Sequence, residues 1–154
     1  MDENIKIITS NKKAFHDYQI LDKLEAGLVL TGSEVKALRE GRCNLKDSYA
    51  RIRDGEVWLI GMNISQYRNA TMGAHDPERQ RKLLLHKDEI RKLHRQVMEK
   101  GVTLIPLKIY FRKGLAKVEI GVAAGKREYD KREAIAKREQ ERELKRLEKK
   151  YKIK

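Results

Sequence analysis

From residue 18 the chain reads "YQILDKLEAGLVL", and Leu24, Ala26, Leu28 and Leu30 recur at every second position. That is the period of a half-buried strand. Gly27, inside the alternation, marks a bulge or the close approach of another backbone. The period then changes. In "TGSEVKALREG" Thr31 stands three residues before Glu34, the spacing of a capping box, and Gly41 suits a helix C-terminus. Val35 and Leu38 give this short helix one apolar edge, with Lys36 and Arg39 off it. "SYARIRDGEVWLIGMNI" follows as a hairpin around Asp54-Gly55, a dipeptide that supplies positive φ in a tight turn. Val57, Leu59 and Gly61 share one side there; Trp58, Ile60, Met62 and Ile64 share the other. Apolar residues on both sides predict a central strand with covered faces.

"SQYRNATMGAHDPERQRK" has no period and ends in bases, a loop of eighteen residues. Loops that long are usually functional or disordered. Ile90, Leu93 and Val97 then repeat at helical spacing, and Gly101 closes that helix. "TLIPLKIYF" and "LAKVEIGVA" read as two strands joined through "RKG", with Ala116, Val118, Ile120 and Val122 pointing one way and Lys117 and Glu119 the other. Several short strands with two helices and no βαβ rhythm predict a mainly β domain, a small closed or nearly closed OB-like β-barrel with flanking helices.

After residue 124 the pattern stops. The last thirty residues, from "GKREYDKRE" on, hold thirteen Lys/Arg against seven Asp/Glu. Glu133/Lys137, Glu141/Lys145 and Glu148/Lys152 are favourable i,i+4 pairs. Leu144, Leu147 and Tyr151 supply only a thin apolar edge, so a free helix here is marginal in water. The chain therefore divides into a core domain over 1–124 and a basic tail over 125–154. The tail is either a solvated arm or a segment that folds on an acidic partner.

The whole chain of 154 residues carries a formal charge of +13, which points to a polyanion as partner. A single cysteine, Cys43, excludes an internal disulfide and reads as a small buried hydrophobe. "MDENIKIITS" has acids where a signal peptide needs bases, and no apolar run approaches a membrane span. A soluble, cytoplasmic protein is expected.

No catalytic constellation emerges, and no metal or cofactor is expected. His16, His75, His86 and His94 are not at metal-binding spacings. "GVAAGKR" has only three residues between its glycines and Arg127 where a phosphate loop needs Ser or Thr. Glu25 and Glu34 could pair as carboxylates, but Glu34 already has a capping role. Nucleic-acid features are stronger. "NKKAFHDY" interleaves Asn11, Lys12, Lys13 and His16 with aromatics, and "PERQRK" places Arg79, Arg81 and Lys82 where guanidinium groups meet phosphates or stack on bases. A ribosomal or initiation-type OB protein would share this charge, whereas a nuclease or RNA-modifying enzyme would need clustered acids or a metal site.

The segments "NKKAFHDY", "EAGLVLTGSEVKALREG", "LKDSYA", "HDPERQRKLLL", "GVTLIPLKIYF" and "GKREYDKR" together closely resemble the small protein B (SmpB) family, the tmRNA-binding proteins of bacterial trans-translation. The resemblance runs from about residue 5 to the end. It implies a rescue factor without catalytic activity that binds the tRNA-like domain of tmRNA and delivers it to stalled ribosomes. Alanyl-tRNA synthetase and elongation factor Tu would be reached through tmRNA, no membrane would be involved, and the protein would be a monomer. The resemblance places RNA contacts at Asn11, Glu25, Leu84 and Lys117, with Arg39, Arg79, Arg81 and Lys82 on phosphates; Lys12, Lys13, His16 and Lys36 complete the expected RNA-binding set. A carboxylate on an RNA face is costly unless it accepts hydrogen bonds from base edges, which would make Glu25 a specificity residue.

The same resemblance gives the tail a role. Unstructured when free, it would become a helix in the empty mRNA path of the ribosome. Gly125 would be the hinge, and Tyr129 would stack on a decoding-centre base. Asp130, Lys131 and Arg132 match the family's D-K-R. Arg138, Arg142, Lys145, Arg146 and Lys149 would meet rRNA phosphates. Leu147 would complete the mRNA-path contacts, although Glu148 follows it where other members carry a second apolar residue.

Overall fold

A computed structural model describes residues 5–66, 76–125 and 138–146. Within them the order is β1 (Ile5–Ser10), α1 (Lys12–Asp17), β2 (Tyr18–Leu28), α2 (Gly32–Arg39), β3 (Cys43–Asn44), β4 (Tyr49–Arg53), β5 (Glu56–Ile60), β6 (Asn63–Ile64), β7 (Arg81–Leu84), α3 (Lys87–Lys100), β8 (Thr103–Arg112) and β9 (Leu115–Gly125). Residues 138–146 are helical and exposed. A large antiparallel sheet runs β1-β8-β4-β5-β7-β2-β9, with β8 also paired to β9, while β3 and β6 form a separate short pair. The chain is mainly β with a few short helices, as the alternation predicts.

Local chemistry explains most boundaries. Thr31 and Glu34 form the predicted capping box on α2, and Gly101 ends α3 in the left-handed conformation at φ 62°. Asp54 and Gly55, at φ 53° and 75°, make the tight turn between β4 and β5. The core gathers Val57 and Leu59 from β5, Leu83 from β7, Ile109 from β8 and Val118, Ile120 and Val122 from β9. Ala37 and Leu38 of α2 and Leu93 of α3 close over it.

Several expectations change. The periodicity does not show β1 or α1; α1 seats Ala14 on Ile105, Leu107 and Ala123, a small second core. Gly27 is not at a bulge: the register of β2 shifts between Ile20 and Asp22 instead. The predicted loop also ends early, because β7 begins at Arg81. Nor do Met62 and Ile64 share a side with Trp58 and Ile60. Gly61, at φ 85°, resets the phase and sends both into the core, while Trp58 and Ile60 stay half-buried on the outer face of the sheet. Cys43 is half-buried and packs against the core, and burial pushes its thiol up to about 12.

Candidate nucleic-acid interface

Three strands bring Glu25, Leu84 and Lys117 together. Gly27 of β2 pairs with Leu84 of β7 on one edge and with Lys117 of β9 on the other. Glu25, two residues away, projects from the same face. These residues line a concavity of about 360 Å³, with Leu85 and His86 just before α3 and Glu89 in its first turn along one wall. Gly27 keeps the approach close: a Cβ there would lie 3.2 Å from the Leu84 Cβ, so Leu84 would have to shift by a few tenths of an ångström. Leu84 is 55% exposed, unusual for a leucine in a strand beside the core.

Glu25 is held in place. Tyr110 Oη donates to Glu25 Oε2 at 2.5 Å, and Arg112 Nη1 donates to Oε1 and Oε2 at 3.2 and 3.0 Å. Partial burial works against the charged carboxylate, but these bonds and the Arg112 and Lys117 charges outweigh it and hold the carboxyl below its ordinary range. Burial, together with the bond to Glu25, pushes the Tyr110 hydroxyl up, so it remains a donor at neutral pH. Tyr110 and Arg112 are site residues that sequence reasoning missed. Their signal is the polar parity of Lys108, Tyr110 and Arg112, alternating with the core residues Ile109 and Phe111, although Tyr110 itself is buried.

Asn11 stands at the other end of β2 and holds the fold together there. Pro106 lies next to a register shift in β8, where its missing N–H is tolerated. Asn11 caps that irregularity, donating its backbone N–H to the Leu107 carbonyl at 2.7 Å and its Nδ2 to the Pro106 carbonyl at 3.1 Å. Its Oδ1 accepts from the Ala14 N–H and starts α1. This anchors exposed Lys12, Lys13 and His16, of which Lys13 reaches Asp47 at 3.6 Å and His16 contacts Asp17 at 3.0 Å. Lys36 and Arg39 lie on α2, and the Arg39 guanidinium is 5.8 Å from the centre of the Phe111 ring.

The basic run at residues 79–82 divides. Arg81 cannot meet a phosphate in this fold, because it is fully buried. Its Nε donates to Glu34 Oε2 at 2.6 Å, Nη1 to the Met62 carbonyl at 2.7 Å and Nη2 to the Pro77 carbonyl at 3.1 Å. Arg79 remains partly exposed while Nη2 bonds Glu34 Oε1 at 2.5 Å. Burial opposes the charge on Glu34, yet the Arg79, Thr31 and Arg81 bonds hold its carboxyl down at about 2. Lys82 points outward and pairs with Glu56 at 3.0 Å.

Gly125 ends β9, paired with Tyr18 beside α1, so the tail leaves the end opposite Lys117. Eight residues of strand separate the two points, roughly 27 Å. Arg138, Arg142 and Arg146 share one side of the exposed helical segment. Tyr129, Asp130, Lys131, Arg132 and Leu147 lie outside the described residues. Among the described residues, no helix is long and apolar enough to cross a membrane.

A family model described as "SmpB protein" matches residues 8–150. The SsrA-binding protein of Syntrophobacter fumaroxidans (strain DSM 10017 / MPOB) is 59% identical over 147 residues, covering 96% of this chain and 91% of that protein. The SsrA-binding protein of Limosilactobacillus reuteri (strain DSM 20016) is 56% identical over 150 residues, covering 97% and 96%. A solved structure described as "tmRNA-SmpB: a journey to the center of the bacterial ribosome" superposes with a TM-score of 0.65 at 50% identity, covering 77% of this chain and 83% of that one.

Proposed function

This chain belongs to the SmpB family, and from that premise we infer that it binds tmRNA and delivers alanyl-tmRNA to stalled ribosomes for trans-translation and ribosome rescue. The observation that carries the reading into chemistry is the Glu25–Leu84–Lys117 concavity. Lys117 supplies charge for a phosphate and Leu84 an apolar surface for a sugar or base edge. Glu25 Oε2 accepts from both Tyr110 and Arg112, whereas Oε1 shares only the Arg112 donor. Oε1 thus keeps acceptor capacity for a base amino or imino group. Arg39, Arg79, Lys82, Lys36, Lys12, Lys13 and His16 contribute charge around it, and Asn11 acts by positioning α1.

The protein works by binding rather than by catalysis, as a monomer in the cytoplasm, and meets elongation factor Tu and alanyl-tRNA synthetase through tmRNA. The sheet reads as an OB-like closed barrel. What supports this is that β8 pairs with both β4 and β9, joining the last strand of the order to the second and closing β8, β4, β5, β7, β2 and β9 into a ring. The tail over 125–154 is a separate unit, disordered when free and helical in the mRNA path, with Gly125 as its hinge and Tyr129 stacked at the decoding centre. The helical backbone of residues 138–146, with its exposed stripe of arginines, supports the helical state.

A tmRNA-binding assay beside a peptide-tagging assay tests the reading. Tyr129→Ala should bind tmRNA as the wild type does and lose tagging by roughly tenfold, the effect of one stacked ring. Glu143→Pro, costing about 3 kcal/mol in a helix interior, should behave likewise. A wild-type chain that fails to bind tmRNA overturns the function. Wild-type tagging by Glu143→Pro overturns the helical tail.

A further inference from the structure

β4 and β5 turn Ala50, Ile52, Val57 and Leu59 inward and a second set outward: Tyr49, Arg51 and Arg53 from one strand, Glu56, Trp58 and Ile60 from the other. The cross-strand register aligns Arg51 with Trp58, and Trp58 with Lys82 of β7. An indole is thus flanked by two bases in one row of the sheet. The Arg53 guanidinium lies over the same ring, 5.0 Å from its centroid, and reaches Gln80 at 3.4 Å. Tyr49, one row further, is 40% exposed.

A tryptophan on the outer face of a central strand contributes little to the core described above. Its surroundings suit a planar, anionic partner: a base can stack on the indole and the guanidinium plane, and a phosphate can sit between Arg51 and Lys82. Glu56 is the acid among these outward residues, and Lys82 already engages it. The surface also continues into the candidate interface, because Lys82 and Leu84 alternate onto the same outer face of β7. Duplex RNA hides its base faces, so the fitting occupant is an unpaired nucleotide.

We propose that the outer face of β4, β5 and β7, centred on Trp58 and walled by Arg51, Arg53 and Lys82, is an additional RNA-contact surface that stacks an unpaired nucleotide. The proposal rests on the tmRNA-binding reading and extends it. The nucleotide comes from tmRNA itself, because this face continues through Leu84 into the concavity assigned to tmRNA, and ribosomal RNA is the other outcome of the test.

Trp58 is the only tryptophan of the chain, so its emission reports on this surface alone. The full chain is titrated in one arm with tmRNA and in the other with protein-free small-subunit rRNA. Saturable quenching is expected in the tmRNA arm, and quenching in the rRNA arm alone overturns tmRNA as the source. In the tmRNA arm Trp58→Phe should retain affinity, and Trp58→Leu should lose roughly five- to a hundredfold. The exposed pair Arg51→Ala/Arg53→Ala, which leaves the ring in place, should reduce the salt dependence by about one unit of slope for each phosphate that the variant no longer neutralises. This pair decides the matter should Trp58→Leu not fold. Unchanged emission in both arms, with unaltered affinity of the variants for a tmRNA that the wild type binds, overturns the platform and leaves the family function standing. Absence of tmRNA binding by the wild type overturns both.

Discussion

Glu34 and Glu25 each accept hydrogen bonds from arginine, one inside the core and one on the wall of a surface concavity. Glu34 receives the Thr31 N–H, Arg79 and Arg81, and the fully buried Arg81 goes on to bind the carbonyls of Met62 and Pro77. That set ties α2, the residues just after β5 and the residues before β7 into one piece. Glu25 receives Tyr110 and Arg112 but keeps acceptor capacity on Oε1 at the concavity. The same pairing chemistry therefore serves architecture where every partner is internal, and recognition where one position is left open. Burial, not charge, separates the two roles.

The largest effect should come from breaking the inner pair. Arg81→Leu leaves the Glu34 carboxylate buried with one of its arginines gone, and should cost about 3–5 kcal/mol in urea unfolding. Adding Glu34→Leu should restore much of that loss, since removing both charges avoids an unpaired one. A double variant as unstable as the single would mean that the Met62 and Pro77 carbonyls, rather than Glu34, are what Arg81 stabilises.

Acid should expose the same difference more gently. The Glu34 carboxyl is depressed in the fold, from 4.5 to about 2, so its contribution is present above pH 4.5 and lost as pH falls towards 2. A shift of that size corresponds to about 3 kcal/mol. Glu25 is depressed in the same direction and adds to the trend with the same sign. Glu34→Gln should flatten stability between pH 5 and pH 3, measured by urea midpoints, about as far as its lost share. A curve that still falls steeply would assign acid sensitivity elsewhere.

The smallest effect on folding, and the sharpest on binding, belongs to the outer glutamate. Glu25→Ala makes the protein more positive, which by electrostatics alone favours RNA. Loss of a base-edge acceptor should instead weaken tmRNA binding by about 1–3 kcal/mol, while urea stability changes by less than about 1 kcal/mol. Tighter binding of the alanine variant would show that Glu25 serves only to orient Tyr110 and Arg112.

Much of the frame was legible because it is written in short-range patterns. The Thr31/Glu34 cap, the Asp54-Gly55 turn, the Ile90, Leu93, Val97 spacing of α3 and the alternation of β9 each depend on neighbours a few residues away. The site was legible only in part. Arg81 sits in a run of bases, and charge alone gives no reason to bury it; yet Arg81 and Leu83 share one parity of β7 and Lys82 and Leu84 the other. α1, at six residues, is too short for a helical period to emerge. The partners of Arg81 at Glu34 and Met62, and of Glu25 at Tyr110, are long-range and cannot be read from local spacing.

The ladder between β2 and β9 has a mechanical meaning. It runs from Gly27 and Lys117 at the concavity to Tyr18 and Gly125 at the root of the tail, and β8 pairs along the other edge of β9. A pull on the tail, at the end of β9, against whatever grips Glu25 of β2 therefore loads the ladder along the strands, in shear. Its backbone hydrogen bonds share that load side by side rather than failing one after another. Tension arising at one end of the protein is thus passed to the other by a stiff tie, with little stretch in between.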